Sequence, residues 1–149
     1  MPGAVNGILI VDKPAGWTSH DVVGKVRRLA GIRRVGHAGT LDPMATGVLV
    51  VLLGRATRAS EFAEAQRKGY NAHIRFGLTT DTLDTEGNVL SESGISPTLA
   101  QIEEVLPRFR GDIEQVPPMY SAIKVNGRKL YEIARAGGEV ERKANPAVR

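Results

Sequence analysis

The sequence predicts a domain that mixes helices and strands, of the α/β or α+β class. Short apolar runs such as those at 7–14 and 47–54 end at glycine or proline, as strands do. Other segments show helical spacing of apolar residues and capping signals at their ends. The chain has 149 residues, with no internal repeat and no long linker, so it suits one domain of ordinary size.

The first part of the chain predicts two buried strands, separated by a helix and a loop. GILIVDKP predicts a buried strand that ends at Pro14. SHDVVGKVRRLAG predicts a helix with Ser19 as its N-cap and Gly31 as its end. The apolar face of this helix comprises Val22, Val23, Val26 and Leu29. The loop GHAGTLDP at 36–43 follows, and GVLVVLLG at 47–54 predicts the second buried strand.

The next segments predict shorter elements. ATRASEFAEAQ at 56–66 predicts a short helix, and KGYNAHIRFG at 68–77 predicts a strand with alternate residues on one face. That face would carry Tyr70, Ala72, Ile74 and Phe76. The polar segment LTTDTLDTEGN at 78–88 predicts a surface loop. SPTLAQIEEVLPRF predicts a helix capped by Ser96, which precedes a proline at the first helical position.

The C-terminal part predicts a hairpin and the beginning of another strand. Asn126-Gly127 is a hairpin turn signal, and the short helix after it ends at Gly137 and Gly138. EVERKANPAVR predicts the entry to a further strand that nothing completes, so we expect a fragment of a longer domain.

The charge of the chain is mild in total but uneven in distribution. Twenty Lys and Arg against 16 Asp and Glu give a net charge of +4. Two basic clusters stand out: Lys25, Arg27, Arg28, Arg33 and Arg34, and then Lys124, Arg128, Lys129, Arg135, Arg142 and Lys143. Such clusters attract phosphate backbones, although on charge alone an ordinary solvated surface is the simpler interpretation. The chain has no cysteine, no signal-peptide pattern and no apolar run long enough to span a bilayer, so it predicts a soluble protein.

The loop at 36–43 presents one carboxylate on a constrained backbone. Pro43 disfavours the α region for Asp42 and favours an extended conformation. Gly36 and Gly39 allow backbone angles and close approaches that other residues resist. Two interpretations stay open on these residues: an Asp-Pro turn, which is the commoner, and a carboxylate offered to a ligand.

Several familiar kinds of site do not fit the residues around Asp42. Met44 occupies the position where an aspartyl-phosphate enzyme has its second Asp. The chain has no Gly-Lys-Ser/Thr run of a phosphate-binding loop and no serine nucleophile elbow. His20, His37 and His73 are far apart and lack neighbouring carboxylates, so no metal site is predicted. A lone carboxylate favours covalent nucleophilic catalysis or no catalysis.

Four segments, in order, resemble the TruB family of tRNA pseudouridine synthases. GHAGTLDPMATGVL is similar to the family's signature motif, since it holds His, two Gly, Asp, Pro and Thr-Gly in one register. VDKPAGWTSHDVV resembles the first motif, KGYNAHIRFGLTTDTLDTEG the second, and GDIEQVPPMYSAIKVNGRKLYEIARAGGEVE the tRNA-gripping segment. The resemblance runs from about Gly7 to the last residue and is closest to the bacterial members. It implies an α+β catalytic fold, with a mixed, mostly antiparallel sheet flanked by helices.

The resemblance also implies a function. Residues 1–149 would be the N-terminal portion of a catalytic domain that converts uridine to pseudouridine at position 55 in the T loop of tRNA. The enzyme would be a cytoplasmic monomer that acts on the T-stem-loop without metal, organic cofactor or membrane, and 119–141 would form a mobile segment over the RNA. The family's later arginine, in a GTYIR-like segment, and its C-terminal RNA-binding domain are not matched by this chain. Arg149 does not fit that motif, so we expect an incomplete sheet.

The resemblance assigns roles residue by residue. Asp42 matches the catalytic aspartate, which attacks the uridine or its ribose. Tyr70 matches the tyrosine that stacks on the target base, although its pattern equally suits a core tyrosine. His37 matches a histidine that holds the flipped-out RNA loop, and Lys13 and Pro14 match a pair that supports the active-site loop. Further RNA-binding residues would be Gly39, Thr40, Arg33, Arg34, Lys124, Arg128 and Lys129, and further supports Gly36 and Pro43.

Two other functions stay open. The chain could be an RNA-binding module without turnover, since the later arginine and the second half are not matched. It could also be an unrelated hydrolase with an acidic nucleophile that shares the loop by chance.

Overall fold

The chain folds into two compact units, Met1–Gly69 and Tyr70–Arg149. The computed structural model describes residues 5–64, 67–119, 124–125, 127–143 and 145–147. Both units contain helices and strands, and every ladder among these residues is antiparallel. The α+β class predicted from the sequence is confirmed. None of the helices in these ranges is long and apolar enough to cross a bilayer.

A three-stranded antiparallel sheet forms the centre of the first unit. Its strands are β1 (Gly7–Lys13), β2 (Val35–Ala38) and β3 (Gly47–Leu53), in the order β1-β3-β2. The central strand β3 pairs with β1 along its whole length and with β2 over four residues. Leu49, Val51 and Leu52 of β3 are buried, so the predicted buried strand at 47–54 is confirmed.

The predicted loop at 36–43 is wrong in its first part. Gly36, His37 and Ala38 belong to β2, where His37 lies opposite Val51. The ladder to β3 orders these residues through long-range hydrogen bonds that no local signal shows. The loop that carries Asp42 therefore begins at Gly39.

One helix, α1 (Ser19–Ala30), packs on the sheet. Together the helix and sheet form a buried cluster of Val22, Val23, Val35, Leu49 and Val51. The predicted N-cap is wrong by one residue: Thr18 has the extended backbone of a cap, and its hydroxyl accepts the N–H of Asp21 at 3.0 Å. The Asp21 carboxylate accepts the N–H of Thr18 at 2.8 Å, which completes a capping box. Gly31 ends the helix with φ 62°, as predicted.

The predicted apolar face of α1 is correct for three of its four residues. Val22 and Val23 are buried and Val26 packs partly against the cluster, but Leu29 is exposed. The chain turns back after the helix, and Ile32 packs against the cluster instead.

The strand β1 exists as predicted, but its outer face is exposed rather than buried. The cluster with α1 occupies the sheet face of Leu49 and Val51. Since side chains alternate along a strand, Ile8 and Ile10 share the opposite face with Val48. Ile8 is 62% exposed and Val48 70%, because nothing in the described ranges covers them.

The first unit ends in short helical segments. A 3₁₀ helix, Gly54–Ala59, leads into α2 (Ser60–Glu64). The helix predicted at 56–66 is thus confirmed up to Glu64, and its last two positions lie outside the described residues.

The second unit is built from two-stranded ladders and short helices. Its elements are β4 (Leu78–Thr80), β5 (Val89–Glu92), α3 (Leu99–Val105), a 3₁₀ helix (Leu106–Phe109), β6 (Ile113–Gln115), β7 (Lys124–Val125), β8 (Arg128–Lys129), α4 (Leu130–Arg135) and β9 (Asn145–Ala147). The pairs are β4 with β5, β6 with β9 and β7 with β8. The predicted strand entry near the C-terminus is confirmed as β9.

Three further predictions for the second half are wrong wholly or in part, and those of the hairpin and of the helix end are confirmed. The strand at 68–77 is wrong: residues 67–75 have no regular structure, because alternation alone does not supply a strand to pair with. The loop at 78–88 is wrong in its first residues, which form β4. Thr98, not Ser96, caps α3, through a capping box with Gln101.

The predicted hairpin is confirmed by the β7–β8 pair, where Gly127 has φ 83° and Asn126 lies outside the described residues. The helix end is confirmed too, since Gly137 has φ 74°.

Candidate active site

Asp42 lies in the loop between β2 and β3, with its side chain exposed. Its carbonyl oxygen accepts the N–H of Ala45 at 3.1 Å, which closes a turn over Pro43. Within the described ranges, no hydrogen bond or ion pair engages its carboxylate. The carboxylate is therefore accessible to a ligand.

The residue before Asp42 is held by the first residue of α1. The Ser19 hydroxyl accepts the N–H of Leu41 at 2.9 Å and donates to the carbonyl oxygen of Leu41 at 3.2 Å. Ser19 is 2% exposed, and the Leu41 side chain packs against the buried cluster. Both backbone polar groups of Leu41 are thereby satisfied by one side chain.

The residue after Asp42 is held by the end of β1. Lys13 is 0% exposed, and its Nζ donates to the carbonyl oxygens of Pro14, Trp17 and Pro43 at 3.0, 2.6 and 3.1 Å. The N–H of Gly16 also donates to the Pro43 oxygen, at 2.8 Å. A buried ammonium needs such acceptors in place of water. The predicted supports Lys13, Pro14 and Pro43 thus form one hydrogen-bonded group beside Asp42.

The remaining residues of the motif, at 36–40, differ in their contacts and in whether their backbone conformation favours glycine. The ring Nδ1 of His37, a half-buried residue, lies 2.8 Å from the carbonyl oxygen of Gly39, which requires the proton on Nδ1. Gly39 has φ 84°, which favours glycine; a Cβ there would meet only the end of the exposed Lys68 side chain, at 3.1 Å, and that side chain can move away. Gly36 is different: a Cβ there would meet Thr57 at an ordinary 3.7 Å, so the predicted need for glycine is not met. Thr40 is exposed.

Two basic residues, Arg33 and Arg34, lie between α1 and β2 in the first unit. Arg33 is exposed, and no carboxylate in the part of the chain described here pairs with it. Arg34 is exposed too, but its Nε donates to the Thr57 hydroxyl at 2.7 Å and its carbonyl oxygen accepts from Gly54. Arg33 is therefore the freer of the two predicted RNA-binding arginines.

The other predicted site residues lie in the second unit. Tyr70 opens that unit in an irregular segment and is 67% exposed, so the alternative of a core tyrosine is wrong. Arg128 is exposed in β8. Lys124 and Lys129 belong to the β7–β8 hairpin, and their side chains lie outside what is described. An open cleft of about 400 Å³ in this unit, lined by Val116 and 139–142, contains none of the predicted residues.

The pKa shifts belong to structural turns rather than to the candidate site. The Thr18 hydroxyl, hydrogen-bonded to Asp21, lowers the pKa of that carboxyl below its ordinary value. The Asn88 side chain does the same for the pKa of Asp81 in the β4–β5 turn. The described ranges also hold no group of three His, Cys, Asp or Glu residues arranged to bind a metal ion.

The sequence did not reveal the role of Ser19 in this site. Its spacing before Val22 suggested a helix cap, whereas its partner Leu41 lies 22 residues away. No periodicity or motif spacing predicts such a contact. Trp17 and Gly16, which contribute a carbonyl oxygen and an N–H to the support of the loop, were missed for the same reason.

Comparisons with known proteins agree with one another. The sequence profile of "TruB family pseudouridylate synthase (N terminal domain)" matches residues 27–148. The tRNA pseudouridine synthase B of Geobacillus thermodenitrificans is 53% identical over 140 residues, which cover 93% of this chain and 46% of that protein. The protein of the same name from Syntrophotalea carbinolica is 55% identical over 140 residues, with the same coverages. That from Pseudomonas aeruginosa is 50% identical over 141 residues, covering 95% and 46%.

A solved structure extends the comparison to the fold. The match in "Crystal Structure of a Cbf5-Nop10-Gar1 Complex" has a TM-score of 0.54 and 29% identity, and covers 79% of this chain and 31% of that one. The chain spans about half the length of the sequence relatives that it matches.

Proposed function

Because the chain belongs to the TruB family of pseudouridylate synthases, we propose that it converts uridine to pseudouridine in tRNA, at position 55 of the T loop. One observation carries the proposal. The Asp42 carboxylate is exposed, and the residues before and after Asp42 are each held by a buried side chain. Relatives at 50–55% identity bear the name tRNA pseudouridine synthase B.

The proposed reaction is an isomerisation, so substrate and product contain the same atoms, and it needs one nucleophile. The N1–C1′ bond of uridine breaks, the base rotates, a C5–C1′ bond forms, and the C5 proton is released while N1 gains one. In our proposal Asp42 supplies the electron pair that forms the transient covalent bond, and leaves when the product forms. A carboxylate that has no hydrogen-bond or ion-pair partner among the described residues is free to do this, whereas a fixed backbone limits the directions in which it can point.

The target base must leave its stack before a carboxylate can reach it. We propose that Tyr70 provides the stacking surface and that His37, Gly39 and Thr40 contact the RNA loop. Stacking on an aromatic ring contributes about 1–3 kcal/mol per base. We propose that Arg33 and Arg34 contact phosphates, which positions the RNA without reading its sequence. We propose that Lys124, Arg128 and Lys129 contact phosphates as well.

Release of tritium from tRNA labelled at uridine C5 tests the proposal. Because the relatives are about twice as long, turnover is measured in a completed fusion, in which this chain replaces the matching 140 residues of the Geobacillus relative. We expect Asp42→Asn to abolish release while tRNA binding persists. Asp12→Asn, the same change at another exposed carboxylate, is the matched control and should retain release. Equal release by wild type and Asp42→Asn would sink the nucleophile assignment.

A second candidate function is RNA binding without turnover by this chain alone. It is favoured by one observation, that the chain covers only 46% of the Geobacillus relative. Both candidates predict that the logarithm of tRNA affinity falls linearly with the logarithm of salt concentration. They differ in turnover: multiple rounds of tritium release by residues 1–149 alone would rule out the binding module.

A further inference from the structure

We propose that Ser19 is a positioning residue that sets the direction of the Asp42 carboxylate, an inference that rests on the proposed function. The hydroxyl of Ser19 accepts the N–H of Leu41 at 2.9 Å and donates to its carbonyl oxygen at 3.2 Å. One hydroxyl can do both, since it has one proton to donate and two lone pairs to accept with.

The contact acts on Asp42 through the planarity of the peptide bond. The carbonyl of Leu41 and the N–H of Asp42 belong to one peptide plane, so fixing the Leu41 oxygen fixes that plane. On the other side, Lys13 and Gly16 hold the Pro43 oxygen, and Ala45 holds the carbonyl of Asp42 itself. With the backbone held on both sides, the Cα–Cβ direction of Asp42 is determined, and little more than side-chain rotation remains free.

Ser19 can hold the loop because Ser19 itself is fixed. It is the first residue of α1. One turn further on, Val22 and Val23 are buried against the sheet. The side chain of Ser19 is 2% exposed, so its two hydrogen bonds do not compete with bulk water. The Ser19 hydroxyl therefore fixes the position of Leu41 relative to the hydrophobic core.

A substitution at Ser19 tests the positioning of the loop more specifically than a substitution at Lys13 does. Lys13 joins three carbonyl oxygens, two of which belong to Pro14 and Trp17 in the turn after β1. Its removal would disturb that turn as well as the loop. Removal of the Ser19 hydroxyl affects Leu41 alone among the described hydrogen bonds.

Amide hydrogen exchange in the 149-residue chain tests the contact directly. We expect exchange of the Leu41 amide to become faster on the order of tenfold in Ser19→Ala, the factor expected for the loss of one ordinary hydrogen bond. Ser19→Cys fills similar space with a weaker hydrogen-bonding group, and should lie between wild type and Ser19→Ala. Thr18→Ala is the matched control: it weakens the same helix end but keeps the Ser19 hydroxyl, so Leu41 exchange should stay near wild type. Unchanged exchange in a folded Ser19→Ala or Ser19→Cys chain would overturn the proposal.

Turnover in the completed fusion tests the consequence for catalysis. A catalytic group displaced by about 1 Å can lose about 100-fold in rate, so we expect kcat to fall 10- to 100-fold in Ser19→Ala, with KM and tRNA affinity within about twofold of wild type. Thr18→Ala should keep the wild-type kcat. A kcat for Ser19→Ala no lower than that for Thr18→Ala would contradict the positioning role while leaving the proposed function intact. Absence of tritium release from the wild-type fusion would instead contradict the proposed function, and the catalytic role of Ser19 with it.

Discussion

The two units of the chain differ in how their secondary structure is stabilised. In the first unit, α1 and two strands of the sheet share one buried cluster of five apolar residues. In the described part of the second unit, Leu130 is a buried apolar side chain of α4, while large apolar residues of the β4–β5 hairpin, of α3 and of the 3₁₀ helix after it are exposed. Leu83, Val89, Leu90, Leu99 and Phe109 are among these exposed residues. Among the described residues, the first unit is therefore stabilised mainly by packing, and the second mainly by local turns and ladders.

This difference explains where the candidate nucleophile is placed. A catalytic carboxylate must be held within about 0.5 Å of its working position by residues that are themselves fixed. Asp42 follows Leu41, which packs on the cluster, and precedes Pro43, which is bound to the fully buried Lys13. Arg128, proposed to contact RNA, is exposed on a two-stranded ladder of the second unit, where adjustment to a ligand is easier.

The largest expected effect comes from replacing one buried leucine of each unit with alanine. Leu49 and Leu130 are each 1% exposed. We expect Leu49→Ala to lower the free energy of unfolding by about 3–5 kcal/mol, because its rigid cluster cannot collapse around the cavity. Leu130→Ala should cost about 2 kcal/mol, since looser surroundings relax more readily.

Urea unfolding followed by the fluorescence of Trp17, the single tryptophan of the chain, reports on the first unit, and far-ultraviolet circular dichroism reports on both. Leu90→Ala, at an exposed leucine of β5, is the control and should change little. Equal losses for Leu49→Ala and Leu130→Ala would show that the units are packed alike.

The next effect concerns the buried lysine of the first unit. In Lys13→Met, the carbonyl oxygens of Pro14 and Trp17 lose their donor, while the Pro43 oxygen keeps the N–H of Gly16. A buried acceptor left without a donor costs about 1–3 kcal/mol, and we expect a loss of that size in urea unfolding. Lys25→Met, at an exposed lysine of α1, should leave the stability near wild type. If the two methionine variants unfold at the same urea concentration, the Lys13 hydrogen bonds contribute nothing measurable.

The elements that the sequence predicted correctly are those with local signals. The glycine end of α1 and the hairpin before Arg128 each depend on one residue that favours a positive φ. The apolar run of β3 was predicted because it is long and buried. The pseudouridine-synthase fold class, predicted from four motifs in order, is confirmed by the family match and the solved structure.

The errors in strands and in loop support have a common physical cause, which is dependence on partners distant in sequence. The two misplaced helix caps are different, because Thr18 and Thr98 have their partners three residues away. His37 belongs to a strand because β3 pairs with it, and the alternating residues from Tyr70 onward are not a strand because no described strand pairs with them. The bond between Ser19 and Leu41 spans 22 residues. The motif is enough to make Asp42 a candidate, which stays a prediction, whereas the residues whose hydrogen bonds hold its loop were predicted only in part, as Lys13, Pro14 and Pro43.

A smaller effect comes from removing the same cap in both units. Thr18 and Thr98 each form a capping box with the residue three positions later. Loss of a Thr cap costs about 0.5–2 kcal/mol. Thr18→Ala should therefore shift the Trp17 unfolding transition, because α1 unfolds together with the cluster. Thr98→Ala should instead increase amide exchange within α3, a seven-residue helix that is mostly exposed, without moving that transition. A shift of the Trp17 transition by Thr98→Ala would mean that the two units unfold as one.

The smallest expected effect is the pH dependence of the two lowered carboxyl pKa values. The Thr18 hydrogen bonds lower the pKa of Asp21, and those from Asn88 lower the pKa of Asp81, both from an ordinary value of 3.8. A carboxyl whose folded pKa is lowered binds fewer protons in the folded than in the unfolded state. Its contribution to stability is complete above the unfolded value and is lost as the pH falls through the folded one.

We therefore expect the difference in unfolding free energy between wild type and Asp21→Asn to shrink as the pH falls below about 4. The Trp17 transition should show this difference for Asp21→Asn and not for Asp81→Asn, since Asp21 completes the capping box of a helix in the packed unit, whereas Asp81 lies in the β4–β5 turn. Carbon-13 titration of the side-chain carboxyls by nuclear magnetic resonance checks the premise, because both midpoints should lie below 3.8. A Trp17 transition that responds equally to both substitutions would tie the stability of the β4–β5 turn to that of the packed unit.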